Sequence, residues 1–364
     1  MGEAAGGNAR KEGLNYSPEI AAKPVVERGE FPFAAAFLNH GHVYGQAEGL
    51  KAAGGSLRYV YEPDATLLGP FLEKFPEAEP VDDFGRILED SEIKSVTAAA
   101  IPNERCGIGL RVMDAGKDYL TDKAPFTSLE QLAAAEAKVR ETGRKYAVCY
   151  SERLLNECTW RAGEMIREGV LGRVLHVSLF GPHRLSKEKR PDWFFEKECC
   201  GGILTDIMSH QFEQFLHFTG ETEVSVQLAR VANLGNPDKP ELEDFGEVSL
   251  LGKGGAGAYC RADWFTPDGL RTWGDGRVFV VGTNGSMELR KYVDLGREGS
   301  ADKIFLVDGE GEREIDCAGK VGFPFFGQFI LDCLNRTEKA MTQEHAFRAA
   351  RLSLEAQRLA DAGE

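Results

Sequence analysis

Hydrophobic and polar positions follow two different rhythms along this chain. Up to Tyr150, short apolar runs alternate with stretches of helical period. Phe33–Leu38 has the length of a buried strand, Asn39–Gly45 reads as a tight loop, and Gln46–Ala53 as a helix stopped by Gly54-Gly55. Leu57–Tyr61 predicts a second strand, followed by a helix through Lys74. Ile93–Ile101 predicts a third strand, ended by Pro102-Asn103, with a helix reaching Gly116. Lys117–Thr121 and Lys145–Tyr150 are further strands. Between them Ser128-Leu-Glu-Gln131 resembles a capping box that opens a helix over Leu129–Thr142. Strands alternating with helices imply βαβ units and therefore a parallel sheet.

Near Ser151 the rhythm changes. A helix from Asn156 to Glu168 leads into a half-exposed strand, Arg173–Phe180, and then a long helix over Gly202–Phe218. Six strand-like runs follow without intervening helices: Glu223–Asn233, Glu247–Leu251, Ala256–Phe265, Arg277–Gly282, Ser286–Lys291 and Lys303–Val307. Consecutive strands predict an antiparallel or mixed sheet. Phe325–Asn335 and His345–Ala362 close the chain at helical period.

Bulk properties narrow the partners. A chain of 364 residues is long enough for two cores. A net charge of −15 argues against nucleic acid and anionic membranes, since the densest basic stretch, Lys187-Glu188-Lys189-Arg190, carries a carboxylate and ends at Pro191. Eight cysteines without a CxxC pair fit reduced thiols. With no signal-like segment and no apolar stretch of the ~20 residues that span a bilayer, the expected location is cytoplasmic. Residues 1–32 are expected to form a flexible arm or one that packs on a neighbouring subunit.

The loop after the first strand carries the first candidate chemistry. In the slots of a G-x-G-x-x-G dinucleotide fingerprint stand Asn39, Gly41 and Tyr44, so only the middle glycine is present. That glycine lets the backbone approach a pyrophosphate at a helix N-terminus, and Asn at the first slot tolerates left-handed angles. Asn39, Gly41, His42 and Val43 are the expected cofactor contacts. Glu62, 21 residues after Gly41, stands where an acidic side chain would bond an adenosine ribose and repel a 2′-phosphate, which favours NAD(H) over NADP(H). An unrelated α/β domain with a glycine turn is the alternative. His40 and His42 form a His-x-His pair, but with no acidic or thiol ligand near in sequence no metal is expected.

The second candidate set is Lys123, Asp206 and His210. In Gly201-Gly202…Asp206…His210 the carboxylate and imidazole are four residues apart, on one face of the expected helix. Alcohol oxidation needs such a pair, one group to accept the hydroxyl proton and another to orient it. An ordinary i,i+4 pair is the bland alternative. Lys123 falls at the carboxyl end of a predicted parallel strand, where ligands bind and a cation would favour an ionised hydroxyl; a solvated turn lysine is the alternative there.

Together, Ile101-Pro102-Asn103, the segment Gly116-Lys117-Asp-Tyr-Leu-Thr-Asp122-Lys123 and Gly201-Gly202…Asp206…His210 resemble the Gfo/Idh/MocA family of glucose–fructose oxidoreductase and inositol dehydrogenase type. The resemblance spans roughly Phe33 to the C-terminus. It implies an α/β fold with an N-terminal Rossmann dinucleotide-binding domain, 33–150. An α+β domain with a large open, mostly antiparallel sheet follows over 151–364, its C-terminal helix able to return to the first domain. It implies further that Lys123 is the active-site lysine, His210 the acid/base and Asp206 its partner. Ile101, Pro102, Asn103, Asp122 and Lys123 would lie on the cofactor, and Tyr150 and Arg153 would line the nicotinamide–substrate junction. The chain departs from the family pattern in the missing glycines, in Asp122-Lys123-Ala124-Pro125 for Glu-Lys-Pro, and in Cys106 where a histidine is common.

Aromatic and charged residues of the second half, in Pro182-His183-Arg184, Arg190-Pro-Asp-Trp193 and Asp263-Trp264…Trp273, suit a sugar stacked on one face and hydrogen-bonded at its rim. His183, Arg184 and Trp193, with Tyr150, Arg153 and His210, are the expected substrate contacts, though core tryptophans with loop charges would read the same. The expectation is hydride transfer between NAD(H) and a hydroxyl or ketone of a sugar, inositol or related polyol, in a homodimer or homotetramer formed through the second sheet. An NAD-recycling glycosidase and a non-catalytic dinucleotide or sugar sensor are the other readings.

Overall fold

The structure is a computed structural model and describes residues 23–297 and 301–363. The first 22 residues of the expected arm lie outside the described residues. Its remainder is tied in: Val25 donates its N–H to Ala53 O at 2.9 Å, and the Phe31 side chain is fully buried.

Six short strands form the first sheet: β1 Pro32–Ala36, β2 Ser56–Tyr61, β3 Glu79–Pro80, β4 Ser95–Ala98, β5 Asp118–Asp122 and β6 Tyr146–Cys149. Their order is β3-β2-β1-β4-β5-β6 and every pairing is parallel. This is the doubly wound Rossmann order, whose switch point between β1 and β4 makes a crevice at the strands' carboxyl ends. Parallel strands buried on both faces favour continuous apolar runs, and β1 supplies one; β4 and β5 are buried throughout although they carry Ser95, Thr97, Asp118, Thr121 and Asp122. The connecting helices are α1 His42–Ala52, α2 Ala65–Lys74, α3 Phe84–Glu89, α4 Pro102–Asp114 and α5 Leu129–Thr142. Ser128 Oγ caps α5 by accepting from Gln131 N at 3.2 Å, while Gln131 Oε1 reaches back to the Thr127 N–H at 2.8 Å. The expected loop over Asn39–Gly45 is shorter than its sequence suggests, because Val43 and Tyr44 already close turns onto His40 O and Gly41 O.

The second sheet has eight strands: β7 Val174–Pro182, β8 Val224–Ala232, β9 Phe245–Gly252, β10 Gly257–Asp263, β11 Arg277–Gly282, β12 Gly285–Arg290, β13 Lys303–Asp308 and β14 Gly311–Asp316. They run in the order β14-β13-β12-β11-β7-β10-β9-β8, and only β7 with β10 is parallel. One face carries Val177, Leu179, Val248, Leu250, Val278, Val280, Met287, Leu289, Ile304 and Leu306, all buried. The opposite face leaves Leu228, Leu251, Phe279, Val281 and Val307 exposed. Helices α6 Ser151–Leu154, α7 Glu157–Arg167, α8 Lys197–Cys200, α9 Ile203–Asp206 and α10 Ser209–Thr219 accompany this sheet. Two more, α11 Phe325–Asn335 and α12 Gln343–Ala362, close the chain.

The described residues divide into two compact units. One runs to Cys149 and also holds Gly322–Phe347; the other holds Tyr150–Val321 and the chain from Arg348. Gly322–Phe347 therefore joins the first unit, although it follows the second sheet. The cause is local: a Cβ at Gly49 would stand 2.2 Å from the Phe326 ring, so glycine at that point of α1 lets α11 seat against it, and Phe329 meets Phe31 edge-on at 6.5 Å.

One helix differs from its expectation. Gly202–Phe218 is not continuous: α9 ends at Asp206, and α10 starts at Ser209. The Met208 N–H bonds Ile203 O, five residues back, which interrupts the regular ladder. The first turn of α9 is held by distant side chains, Ile203 N on Glu243 Oε2 at 2.8 Å and Leu204 N on Gln357 Oε1 at 3.1 Å. The i,i+4 spacing of Asp206 and His210 therefore spans two helices, α9 and α10, rather than one continuous helix.

Candidate active site: a dinucleotide loop and a buried histidine–carboxylate cluster

The cofactor-side residues gather at the carboxyl end of the first sheet. Asp122, the last residue of β5, is fully buried. The His42 Nδ1 atom lies 3.0 and 3.1 Å from its two oxygens, Arg105 Nη2 3.5 Å away and His40 Nδ1 3.8 Å away. Burial by itself would raise this carboxyl, but His42, Arg105 and His40 hold it far below the usual carboxylate range. Burial and the neighbouring His42 keep His40 well below the ordinary histidine value. Folding thus brings an acidic group to the His-x-His pair that sequence distance had hidden. Ligand atoms of His40, His42 and Asp122 lie within 4.8 Å of one another, and a cation placed there would share Asp122 with the Arg105 guanidinium.

Arg105 was not singled out by sequence. Its side chain is 1% exposed and bonds Ala100 O at 2.7 Å, Ala124 O at 3.1 Å and Lys123 O. It fastens the end of β4 to the turn that carries Lys123, itself 4% exposed.

The loop fits a dinucleotide with two differences from expectation. Gly41 is the N-cap of α1, and the helix's first turn has no acidic side chain to oppose a pyrophosphate. Asn39 is half-buried and Val43 buried, beside the switch point. However, the left-handed residue is Phe37 (φ 54°), so Asn39 is not there to relieve strain, and Gly41 has ordinary helical angles (φ −60°). Glu62 is 6% exposed and both its oxygens already accept backbone N–H groups, Leu38 at 2.6 Å and Asp64 at 2.9 Å. Its first task is to tie the end of β2 to the loop after β1; any ribose contact would use remaining lone pairs. Ile101 is the N-cap of α4 and Pro102 its first residue, and the Asn103 carbonyl is taken by Gln131 Nε2 at 2.8 Å.

In the second unit, His210 opens α10 and is 2% exposed. The Tyr150 ring stands edge-on to it at 6.3 Å. Arg153 forms a buried pair with Glu213 through Nε at 2.6 Å. Asp206 is half-buried and its charge supports Arg190, whose pKa burial draws down to about 10. Arg190 lies over Phe194 and Trp264, at 4.4 and 5.0 Å.

The expected substrate group separates. His183 packs on Trp273 at 4.3 Å and Trp264 at 5.4 Å. Arg184 instead clamps a loop, donating to Pro267 O at 2.7 Å and Leu270 O at 2.8 Å. Trp193 sits half-buried on a short 3-10 turn, Asp192–Phe195, against Phe194. Three residues absent from the sequence reading complete this centre. Glu152 and Lys291, each 2% exposed, pair at 2.6 Å, and Gln211 donates to Glu152 at 3.1 Å. The pair is separated by 139 residues and has no local sequence signature.

Comparisons agree with this architecture. The model of the GFO/IDH/MocA C-terminal domain matches residues 159–288. A protein from Erwinia carotovora atroseptica SCRI1043, named as an oxidoreductase, is 45% identical; the match covers 90% of this chain and 98% of that one, with a TM-score of 0.88. A D-xylose dehydrogenase from Paenarthrobacter nicotinovorans is 25% identical over 143 residues, 38% of this chain and 37% of that enzyme, so the match spans little more than a third of it. Levoglucosan dehydrogenase, solved with NADH and levoglucosan, shares the fold at 17% identity, with 92% of this chain and 97% of that one covered and a TM-score of 0.76. No described helix is long and apolar enough to cross a membrane.

Proposed function

This chain belongs to the GFO/IDH/MocA family, and we propose that it is an NAD(H)-dependent oxidoreductase acting on a secondary hydroxyl or ketone of a sugar, inositol or related polyol. The observation that carries this reading is the buried His210–Tyr150–His183–Trp273 centre in one unit, with a doubly wound sheet and a glycine-capped helix in the other. Asn39, Gly41, His42, Val43 and Ile101–Asn103 would hold the dinucleotide, which supplies or accepts the hydride. The buried charge of Glu62 disfavours a 2′-phosphate and so favours NAD(H).

The chain's own residues handle the proton. His210 takes the hydroxyl proton as the carbonyl forms and returns it in the reverse direction. Lys123, held at its turn by Arg105, stabilises the alkoxide. Asp206 acts from the far side of the helix break, steadying Arg190. The Trp264 and Trp273 faces around His183 suit the apolar face of a sugar ring. Support for a polyol also comes from what similar proteins bind or oxidise, D-xylose and levoglucosan.

The open face of the second sheet is assigned to a second copy of the chain. Phe279 and Val281 share it with Leu228, Leu251 and Val307 through the strand register. Charges beside them are paired within the sheet, Arg230 with Glu247 at 2.9 Å and Arg290 with Glu288 at 2.9 Å, which lowers the cost of burying the face. Val281→Asp should weaken self-association tenfold or more, about 1.4 kcal/mol, by sedimentation. The activity is tested by incubating the protein with aldoses and inositols and either NAD+ or NADP+. Reduced cofactor should form with at least one polyol, faster with NAD+; dinucleotide binding without reduction of any kind would leave a sensor.

A further inference from the structure

Glu152 is a buried carboxylate with its two oxygens in different states. Oε2 is engaged by Lys291 Nζ at 2.6 Å and Gln211 Nε2 at 3.1 Å. Oε1 is sealed from solvent and has no hydrogen-bond donor among the described residues. His183 Nε2 approaches Oε1 to 3.9 Å.

The other side of the His183 ring fixes its tautomer. Nδ1 is 3.0 Å from the Gly181 carbonyl oxygen, which can only accept, so Nδ1 carries a hydrogen. In the neutral ring Nε2 then presents a lone pair to Oε1, and two acceptors make no bond. A proton at Nε2 turns the 3.9 Å approach into an ion pair, and movement of the ring by about 1 Å would complete a charge-assisted hydrogen bond. Trp273 and Trp264 pack the ring in place.

Several elements meet at Glu152. Lys291 follows β12 and also meets Gln214 Oε1 at 3.4 Å. Gln211 and His210 come from α10, and His183 follows β7. Arg153, next in sequence, pairs with Glu213. Room for Gln211 depends on Gly181, where a Cβ would stand 2.7 Å from Gln211 Nε2.

We propose that Glu152 is a positioning carboxylate that makes His183 a second proton-accepting group beside His210, its unengaged oxygen receiving the Nε2–H of protonated His183. The role given to that proton rests on the polyol-oxidation reading. In oxidation the substrate loses a hydride to the nicotinamide and a proton to the protein; the proton resides on nitrogen, the Glu152 charge balances it, and no further oxidant enters. Burial alone would raise the Glu152 carboxyl, but Lys291, with His210 and His183, holds it at about 2, so its charge is present throughout the range in which histidines titrate.

The test is a histidine NMR titration of the full chain, with the His183 signal identified by its loss in His183→Asn. Glu152→Gln should lower the His183 midpoint by about one pH unit, because an opposite charge within ~4–6 Å favours the protonated ring. Should Glu152→Gln fail to fold, the double variant Glu152→Gln/Lys291→Met removes both charges together and predicts the same shift. With a polyol substrate, the acidic limb of kcat/KM should move down by the same amount, since the base must be unprotonated. A His183 titration that superimposes on wild type in the folded variant overturns the proposal. A shifted titration without turnover on any polyol would keep the dyad and reject the oxidoreductase reading.

Discussion

Asp122 and Glu152 are both buried carboxylates beside histidines, yet the protein uses them differently. Asp122 ends a parallel strand and has His42 on both oxygens with Arg105 alongside. Glu152, on a one-turn helix, gives one oxygen to Lys291 and Gln211 and keeps the other without a donor among the described residues. The first is closed: its partners are themselves anchored, Arg105 by three carbonyls, and the result fixes the loop that would hold a cofactor. The second retains an acceptor where a proton can arrive. Saturated charge builds a frame, and partly saturated charge is where chemistry remains available.

The largest effect expected from this comparison follows from the Lys291 ammonium on Glu152. Lys291→Met should cost about 3–5 kcal/mol, since it leaves a buried carboxylate without its ammonium. The double variant with Glu152→Gln should recover most of that. Urea unfolding of the three proteins decides it, and a single variant within about 1 kcal/mol of wild type would show that Glu152 has other support.

Asp122→Asn should be milder, about 2 kcal/mol, because Arg105 keeps its carbonyl partners while the charged bond to His42 is lost. A loss as large as that of Lys291→Met would erase the distinction between the two sites.

Acid stability sharpens the contrast further. The folded Glu152 carboxyl lies at about 2, below its unfolded value of about 4.3. Its contribution is therefore complete above pH ~4.3 and is lost as pH falls toward 2. Glu152→Gln should flatten the stability curve in that window. The smallest effect is expected at His40, which folding keeps neutral mainly through burial. The unfolded chain takes up this proton below about pH 6.5, so wild-type stability declines as pH falls from there, and His40→Asn should remove that slope. Thermal melts across pH read both.

These two centres were unequally legible in sequence. The alternation of apolar runs and helical stretches up to Tyr150 sufficed for a parallel sheet, because buried parallel strands and their covering helices must be encoded locally. Gln131 following Ser128 by three residues likewise marked a real cap. What stayed hidden depends on groups brought together from afar. The break after Asp206 arises in a segment of ordinary helix formers, and the caps that hold α9, Glu243 and Gln357, are remote. The Glu152–Lys291 pair and the approach of Asp122 to His42 join segments 139 and 80 residues apart. That Arg184 also binds the Pro267 and Leu270 carbonyls is likewise invisible in a sequence. The two-residue β3 and the edge strand β14 had too little apolar pattern to mark them.

The central claim is that His210 is the group that exchanges the substrate proton during hydride transfer. The most direct measurement is turnover of His210→Ala against wild type with a polyol that reduces NAD+, alongside dinucleotide affinity by fluorescence titration. The account predicts a fall in kcat of ~10²-fold or more with dinucleotide binding retained. Unchanged turnover in the folded variant would contradict it.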